Sequence, residues 1–205
     1  MTVFKNTDEL YEVEDHLFWI YRTTYEIEMH INTVLSLNSL VSDKNLISDL
    51  TTDMIFYHNE LALIRTAHIL KNKPRDDEKH SLNSLKNYLG AKQVNKSKKS
   101  MKLIYDKIFA LYEKHQIDIT KLINKRDAEA HEFKINKQIK ISQNNKISFN
   151  RQINLIQEAR EIINELYHLL FERELPSELK YPIDLYEKIY KHSIEIIASE
   201  ARILR

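Results

Sequence analysis

The sequence predicts an all-α protein in which long amphipathic helices form an antiparallel bundle. Of its 205 residues, 42% are hydrophobic, which is enough to bury one continuous core. It contains one glycine and three prolines, too few for the many tight turns of a sheet protein. Apolar residues also recur at alternating steps of three and four, which is the spacing of one helix face. We therefore expect a single helical-bundle domain over residues 1–205.

Two stripes of apolar residues predict the first two long helices. The first helix begins at a capping box, in which Asn6 accepts from free backbone N–H groups and Glu9 reaches back. The second helix ends near Lys71, because Pro74 disfavours helical geometry in the residue before it. The predicted inward faces are Leu10, Val13, Leu17, Ile20, Thr24, Ile27, Ile31 and Val34 in the first helix, and Leu50, Met54, Tyr57, Leu61, Ile64 and His68 in the second.

The middle of the chain predicts a short helix followed by a longer pair. Ser81 is the expected N-cap of the short helix, and Gly90 is placed to adopt the left-handed conformation just past its end. A break near Gln116 separates the next two helices, and Asp118 or Thr120 caps the second of them. The apolar stripe before this break consists of Met101, Ile104, Ile108, Leu111 and His115.

The last third of the chain combines a predicted hairpin with two helices. Between 135 and 149, apolar and polar residues alternate around the turn-forming sequence SQNN, which indicates a small β-hairpin insertion. Helical spacing then resumes, and a C-terminal helix is expected at about 183–204. The two stripes are Ile156, Ala159, Ile163, Leu166 and Leu170, and then Leu185, Ile189, His192, Ile196, Ser199 and Ile203.

Composition and charge narrow the class of protein. The chain lacks cysteine, a basic-then-apolar signal pattern and any run of about 18 apolar residues, so we expect a cytoplasmic protein that does not enter a membrane. The net charge is +1, but residues 86–146 contain 15 Lys and Arg against 6 Asp and Glu. This basic middle indicates either a polyanion site or a solvated lysine-rich face.

The sequence gives little support for a phosphate-binding loop or a metal centre. A P-loop needs several glycines for close backbone approach, and this chain has one. A di-iron bundle needs two Glu-x-x-His pairs, and only Glu165 and His168 have that spacing. The apolar stripes place His68, His115 and His192 where they could meet at a metal, although buried histidines with ordinary partners are much commoner. We therefore expect no metal and no cofactor.

One short motif carries recognisable chemistry. The segment INKRDAEAHEF, residues 123–133, has Arg126 and His131 with four residues between them, and the polar Asp127 directly follows the arginine. This pattern resembles the signature of the HEPN superfamily, in which a His follows an Arg and a polar residue at a short, variable spacing. The resemblance implies a helical ribonuclease with the motif at a dimer interface.

Features outside the motif resemble the abortive-infection branch of that superfamily. They are the aromatic pair Phe18 and Trp19 in the first helix and the segment HSLNSLKNYL upstream of the motif. The resemblance covers most of the chain apart from 135–149 and the last helix. It implies a phage-defence or toxin-like role, with an antitoxin or regulatory partner. A second match, RDDEKH, contains Arg75 and His80 at the same spacing, but it follows Pro74 in a polar loop, so context favours the first.

Cleavage of RNA needs the residue types that this motif supplies. Attack of a ribose 2′-OH on the adjacent phosphate requires proton transfer near neutral pH, which is the expected role of His131. Arg126 is expected to bind two phosphoryl oxygens, and Asp127 either takes part in catalysis or orients a catalytic side chain. The lysines expected to contact RNA phosphates are Lys92, Lys96, Lys98, Lys99 and Lys125.

The spacing of the pair predicts how the site is assembled. Residues five positions apart on an ideal helix differ by about 140° in direction, so Arg126 and His131 cannot share one face. Either Asp127 caps a new helix, or residues of two protomers meet in a homodimer. The alternatives to a ribonuclease are a HEPN-like RNA-binding or regulatory module without catalysis and an unrelated helical interaction protein.

Overall fold

The structure, a computed structural model, describes residues 7–44, 49–71, 80–91, 98–130 and 146–176, together with Lys188 and His192. The described part contains six helices and no strand, which confirms the all-α class. The helices are α1 (Thr7–Lys44), α2 (Asp49–Ile69), α3 (Leu82–Ala91), α4 (Lys98–Lys114), α5 (Gln116–Ala130) and α6 (Phe149–Phe171).

Helix α1 is the centre of the bundle and packs against α2, α3 and α6. Ion pairs and hydrogen bonds show that its neighbours run antiparallel to it. Glu26 pairs with Arg65 of α2, whereas His30, one turn later, contacts the earlier residue His58. The same reversal relates α1 to α6, where Tyr167 donates to Glu14 and the earlier residue Arg160 donates to Glu28. The antiparallel bundle predicted from the sequence is therefore confirmed.

The predicted inward faces of α1, α4 and α6 are confirmed. Each of these helices keeps apolar residues at steps of three and four, so one side is apolar along the whole helix and packs into a shared core. At the centre lie Leu17, Ile20, Ile108 and Ile163, all at most 1% exposed. Burial of each side chain of this size contributes about 1.5–3 kcal/mol to folding.

The predicted inward face of α2 is wrong. Tyr57 is 58% exposed and Ile64 is 42% exposed, whereas the buried side of the helix carries Ala62, Leu63 and Ala67. Apolar residues occur on all sides of α2, so their spacing fits more than one face. The side that becomes buried is decided by contact with α1 and α5, which the sequence of α2 does not encode by itself.

Polar side chains between helices fix the way the bundle is assembled. The Arg160 guanidinium of α6 lies 3.6 Å from the centre of the Tyr25 ring and donates to the side chain and the carbonyl of Thr24. Gln152, at the start of α6, is buried and donates to Thr66 Oγ1 of α2 over 2.8 Å. These bonds satisfy polar groups inside the bundle, where an unpaired group costs about 1–3 kcal/mol.

Some helix ends lie where the sequence predicts them, and others do not. Ser81 caps α3 as expected, accepting from Ser84 N over 3.1 Å. Gly90 lies inside α3 and not past its end, and its φ is not positive, so the predicted left-handed cap is wrong there. That conformation occurs instead at Glu172, which ends α6 with φ 56°. Asp118 lies in the first turn of α5, which starts at Gln116, so it is not the residue before the helix.

The hairpin predicted at 135–149 has no strand in its described part, residues 146–149. Lys146, Ile147 and Ser148 belong to no strand, and Phe149 is the first residue of α6. The Ser148 side chain accepts from Arg151 N, so the end of the predicted hairpin, residues 146–148, leads into a helix cap and is not a strand. Residues 135–145 lie outside the described residues, as does most of the C-terminal helix expected at 183–204, of which Lys188 and His192 are helical.

Candidate functional site

The motif arginine lies near the end of α5, on the side of that helix that faces the bundle. Ile119 and Leu122 are buried against the core, and Arg126 follows Leu122 by four positions on the same face. Its side chain is therefore largely covered, with 18% exposed, while the next residue, Asp127, is 52% exposed. The aliphatic part of the Arg126 side chain is covered by the bundle, and its charged guanidinium lies at the edge of the bundle.

A second contact holds the other end of α5 in place. Asp118, in the first turn, is buried and binds Arg151 Nη2 of α6 through Oδ2 over 2.8 Å. Helix α5 also packs against α2 and α4. The start of the helix is therefore tied to α6 by an ion pair.

Arg126 and Asp127 contact each other directly. The Nε–H group of Arg126 donates to Asp127 Oδ1 over 2.8 Å, and Nη2 lies 2.6 Å from the same oxygen. Both donors on one edge of the guanidinium therefore converge on a single carboxylate oxygen. Asp127 is therefore in direct contact with the motif arginine, and which of its two expected roles this contact serves stays a prediction.

Helix α5 is continuous through Asp127 and is described as far as Ala130. The hypothesis that Asp127 caps a new helix is therefore wrong, because its backbone lies well inside an existing one. His131 lies outside the described residues, so its approach to Arg126 stays a prediction. With the capping alternative removed, pairing of residues from two protomers is the remaining way in which the motif was expected to form a site.

The structure describes only some of the lysines that are expected to bind RNA. Lys99, near the start of α4, is exposed, and Lys125 is half-buried beside Arg126. Lys98 is the first residue of α4, while Lys92 and Lys96 lie outside the described residues. A continuous basic surface around the motif therefore also stays a prediction.

His80, from the second match to the motif, takes part in a cluster of aromatic rings. Its ring stacks on Trp19 of α1 with centroids 4.7 Å apart, and it lies 4.9 Å from the ring of His16. His68 approaches the same indole at 5.2 Å. Arg75 lies outside the described residues. The sequence analysis missed this cluster, although His16 and Trp19, three positions apart on α1, are the signal that could have indicated it.

Two of the three histidines considered as metal ligands, His68 and His115, have different neighbours. His68 joins the Trp19 ring, and His115 instead contacts Glu158 of α6, with Nε2 and Oε2 3.1 Å apart. Burial opposes ionisation of Glu158, but Lys114 and His115 together hold the pKa of its carboxyl below the usual value. In the described part of the chain, no group of three or more His, Cys, Asp or Glu residues could hold a metal ion.

A pair of buried histidines joins α1 to α2, and the sequence analysis did not single it out. The Nδ1 atoms of His30 and His58 are 2.8 Å apart, so one ring donates and the other accepts. Burial, the neighbouring His58 and the charge of Arg65 lower the pKa of His30 to about 4. Burial also lowers the pKa of His58. The pair is therefore neutral at physiological pH and acts as a polar contact within the core.

A groove of about 210 Å³ runs between α4 and α6. Lys107 pairs with Glu165 across it, and Lys114 pairs with Glu158. Its floor is apolar, formed in part by Leu111. The carboxylates on α6, which include Glu161, outnumber the two lysines on α4, so the groove offers little attraction to a polyanion.

No family model, curated protein or solved structure matches this chain. The HEPN resemblance consequently rests on the motif and its surroundings in the sequence. None of the helices in the described residues combines the length and apolar character that crossing a bilayer requires. The features that bear on a function are the position of Arg126, its contact with Asp127 and the presence of His131 five positions later.

Proposed function

We propose that this protein is a metal-independent endoribonuclease of the HEPN type, in which Arg126 and His131 are the reacting side chains. The observation that carries this proposal is the placement of Arg126 by α5. Packing covers its stem and brings a charged guanidinium to the end of the helix, five positions before a histidine. A cation fixed in this way binds phosphoryl oxygens without having to be ordered by the substrate.

The proposed reaction needs only side chains, RNA and water. His131 accepts the proton of a ribose 2′-OH, and the oxygen attacks the adjacent phosphorus. The bond from phosphorus to the 5′-oxygen breaks, and that oxygen takes a proton from an imidazolium or from water. Arg126 binds the phosphoryl oxygens as their negative charge rises. The products are a 2′,3′-cyclic phosphate and a 5′-hydroxyl end, and we propose a cytoplasmic, toxin-like role in phage defence for this cleavage.

The chemistry predicts that cleavage survives removal of divalent ions. Purified protein incubated with total cellular RNA and EDTA should produce fragments that end in a 2′,3′-cyclic phosphate or its opened form. End-group analysis by mass spectrometry measures this directly. Activity that is lost in chelator and restored by Mg²⁺ or Mn²⁺ would contradict the proposed mechanism. RNA that is bound but not cleaved would instead favour a regulatory module.

We also propose that the protein is a homodimer whose site is shared between protomers. The helix is continuous through Asp127, and positions five apart on an ideal helix diverge by about 140°. Arg126 of one chain would therefore meet His131 of the other across a two-fold axis.

Mixed dimers test this arrangement. An Arg126→Ala chain paired with a His131→Ala chain retains one complete site if the site is shared, whereas both parent homodimers retain none. About half of the wild-type activity should therefore return on mixing, measured with chains carrying different affinity tags to isolate the heterodimer. A purified heterodimer as inactive as its parents would show that each site is built from one chain. An active monomer in sedimentation would also contradict the dimer.

A further inference from the structure

The contact between Arg126 and Asp127 has a bearing on substrate binding. Nε and Nη2 form the side edge of the guanidinium, one of the edges that can bind two oxygens of a phosphate at once. Both of these donors point to Asp127 Oδ1. In the free protein, the edge suited to a phosphate is thus occupied by a carboxylate.

Burial strengthens this conclusion. The Arg126 side chain is largely covered, so it cannot easily swing away to present a different face. The Asp127 side chain is half exposed, so solvent and ligands reach it more readily than they reach Arg126. A ligand that approaches Arg126 along this edge meets the carboxylate first.

We propose that Asp127 closes the side edge of Arg126 in the free protein, and that an RNA phosphate must displace this carboxylate before it is bound. This inference rests on the proposed function, because it concerns the same arginine. Displacing the carboxylate costs little free energy, because an exposed ion pair of this kind changes an equilibrium constant by at most about fivefold. Asp127 therefore adjusts the affinity of Arg126 for anions. Ligands that offer two phosphoryl oxygens displace the carboxylate more readily than weakly charged ligands do.

The test compares Asp127→Asn with a matched control. Asparagine keeps the shape and an acceptor oxygen but removes the charge. The control is Asp106→Asn on α4, an exposed aspartate whose replacement changes net charge equally. The probes are inorganic phosphate, followed at the Arg126 Nε–Hε resonance by NMR, and a fully 2′-O-methylated RNA 15-mer, which cannot be cleaved because it lacks a free 2′-OH.

We expect Asp127→Asn to tighten binding of both probes by about twofold to fivefold, with no comparable change in Asp106→Asn. The slope of log affinity against log salt for the RNA should steepen by about 0.7, because one more cation becomes available to a phosphate. In an Arg126→Ala background, where the arginine resonance is absent and RNA binding is the readout, the effect of Asp127→Asn should disappear, as required if the carboxylate acts through the guanidinium.

Two outcomes would overturn the proposal. Weaker phosphate binding in Asp127→Asn would mean that the carboxylate positions Arg126 productively, and an effect that persists without Arg126 would mean simple charge repulsion. Failure of the ribonuclease function is separate from these results. Phosphate binding that tightens in Asp127→Asn, in a protein that never cleaves RNA, would keep the carboxylate's role and refute catalysis.

Discussion

Replacement of Arg126 or His131 by alanine is expected to reduce RNA cleavage by at least about 100-fold. Loss of a positioned general acid or base costs about 10² to 10⁴ in rate, and loss of a preorganised donor to developing negative charge costs about 10² to 10³. Initial rates on total cellular RNA and growth arrest on overexpression measure the effect. Helical circular dichroism should change little, because the Arg126 guanidinium lies at the edge of the bundle and its described ion pair is with its own neighbour.

Matched replacements elsewhere separate this effect from a general loss of charge. Arg22→Ala removes an exposed arginine that also pairs with a carboxylate on its own helix, and it should leave cleavage nearly unchanged. His192→Ala removes an exposed histidine and should do the same. The second motif match provides the sharpest contrast. A dead Arg75→Ala protein beside an active Arg126→Ala protein would move the site to the Trp19 region.

Acidification is expected to destabilise the fold through the His30–His58 pair. The unfolded chain takes up a proton on His30 near pH 6.5, whereas the folded protein does so only near the lowered pKa of about 4. Stability from this group is thus complete above about pH 6.5 and is lost as pH falls towards 4. The shift corresponds to about 3 kcal/mol at the acidic end, a large share of the 5–15 kcal/mol typical of a domain.

Urea unfolding at pH 7, 6, 5 and 4.5 measures this loss. A His30→Gln/His58→Gln double variant keeps a neutral donor and acceptor at the contact, so its stability should vary less with pH than that of the wild type. His192→Gln, at an exposed histidine, is the control and should follow the wild type. The lowered pKa of Glu158 also costs stability in acid, but only below about pH 4.5, so the two effects separate. Equal pH dependence in wild type and double variant would refute the role of the pair.

The candidate site was partly accessible to prediction. The Arg126-Asp127 dipeptide and its helical context could be identified from the sequence, because an apolar helical stretch leads directly into it. The contact between the Asp127 carboxylate and the Arg126 guanidinium could not be predicted. Side chains of adjacent residues on a helix leave it in directions about 100° apart, so they meet only when one of them turns back towards the other. In this chain, the Arg126 side chain is largely covered, and its Nε and Nη2 donors both meet the Asp127 carboxylate.

The all-α class, the helix ends near Lys71 and Ser81, and the inward faces of α1, α4 and α6 were determined by the sequence alone. In these elements apolar residues at steps of three and four mark one face, and that face is the buried one even though α1 and α4 also expose apolar residues such as Leu35, Leu103 and Phe109. Tertiary structure alone decided the rest. It chose the buried side of α2, whose apolar residues are spread over all sides of the helix, and it brought His30 to His58 from positions 28 residues apart. Such choices depend on which helix arrives as neighbour, and no local pattern encodes that.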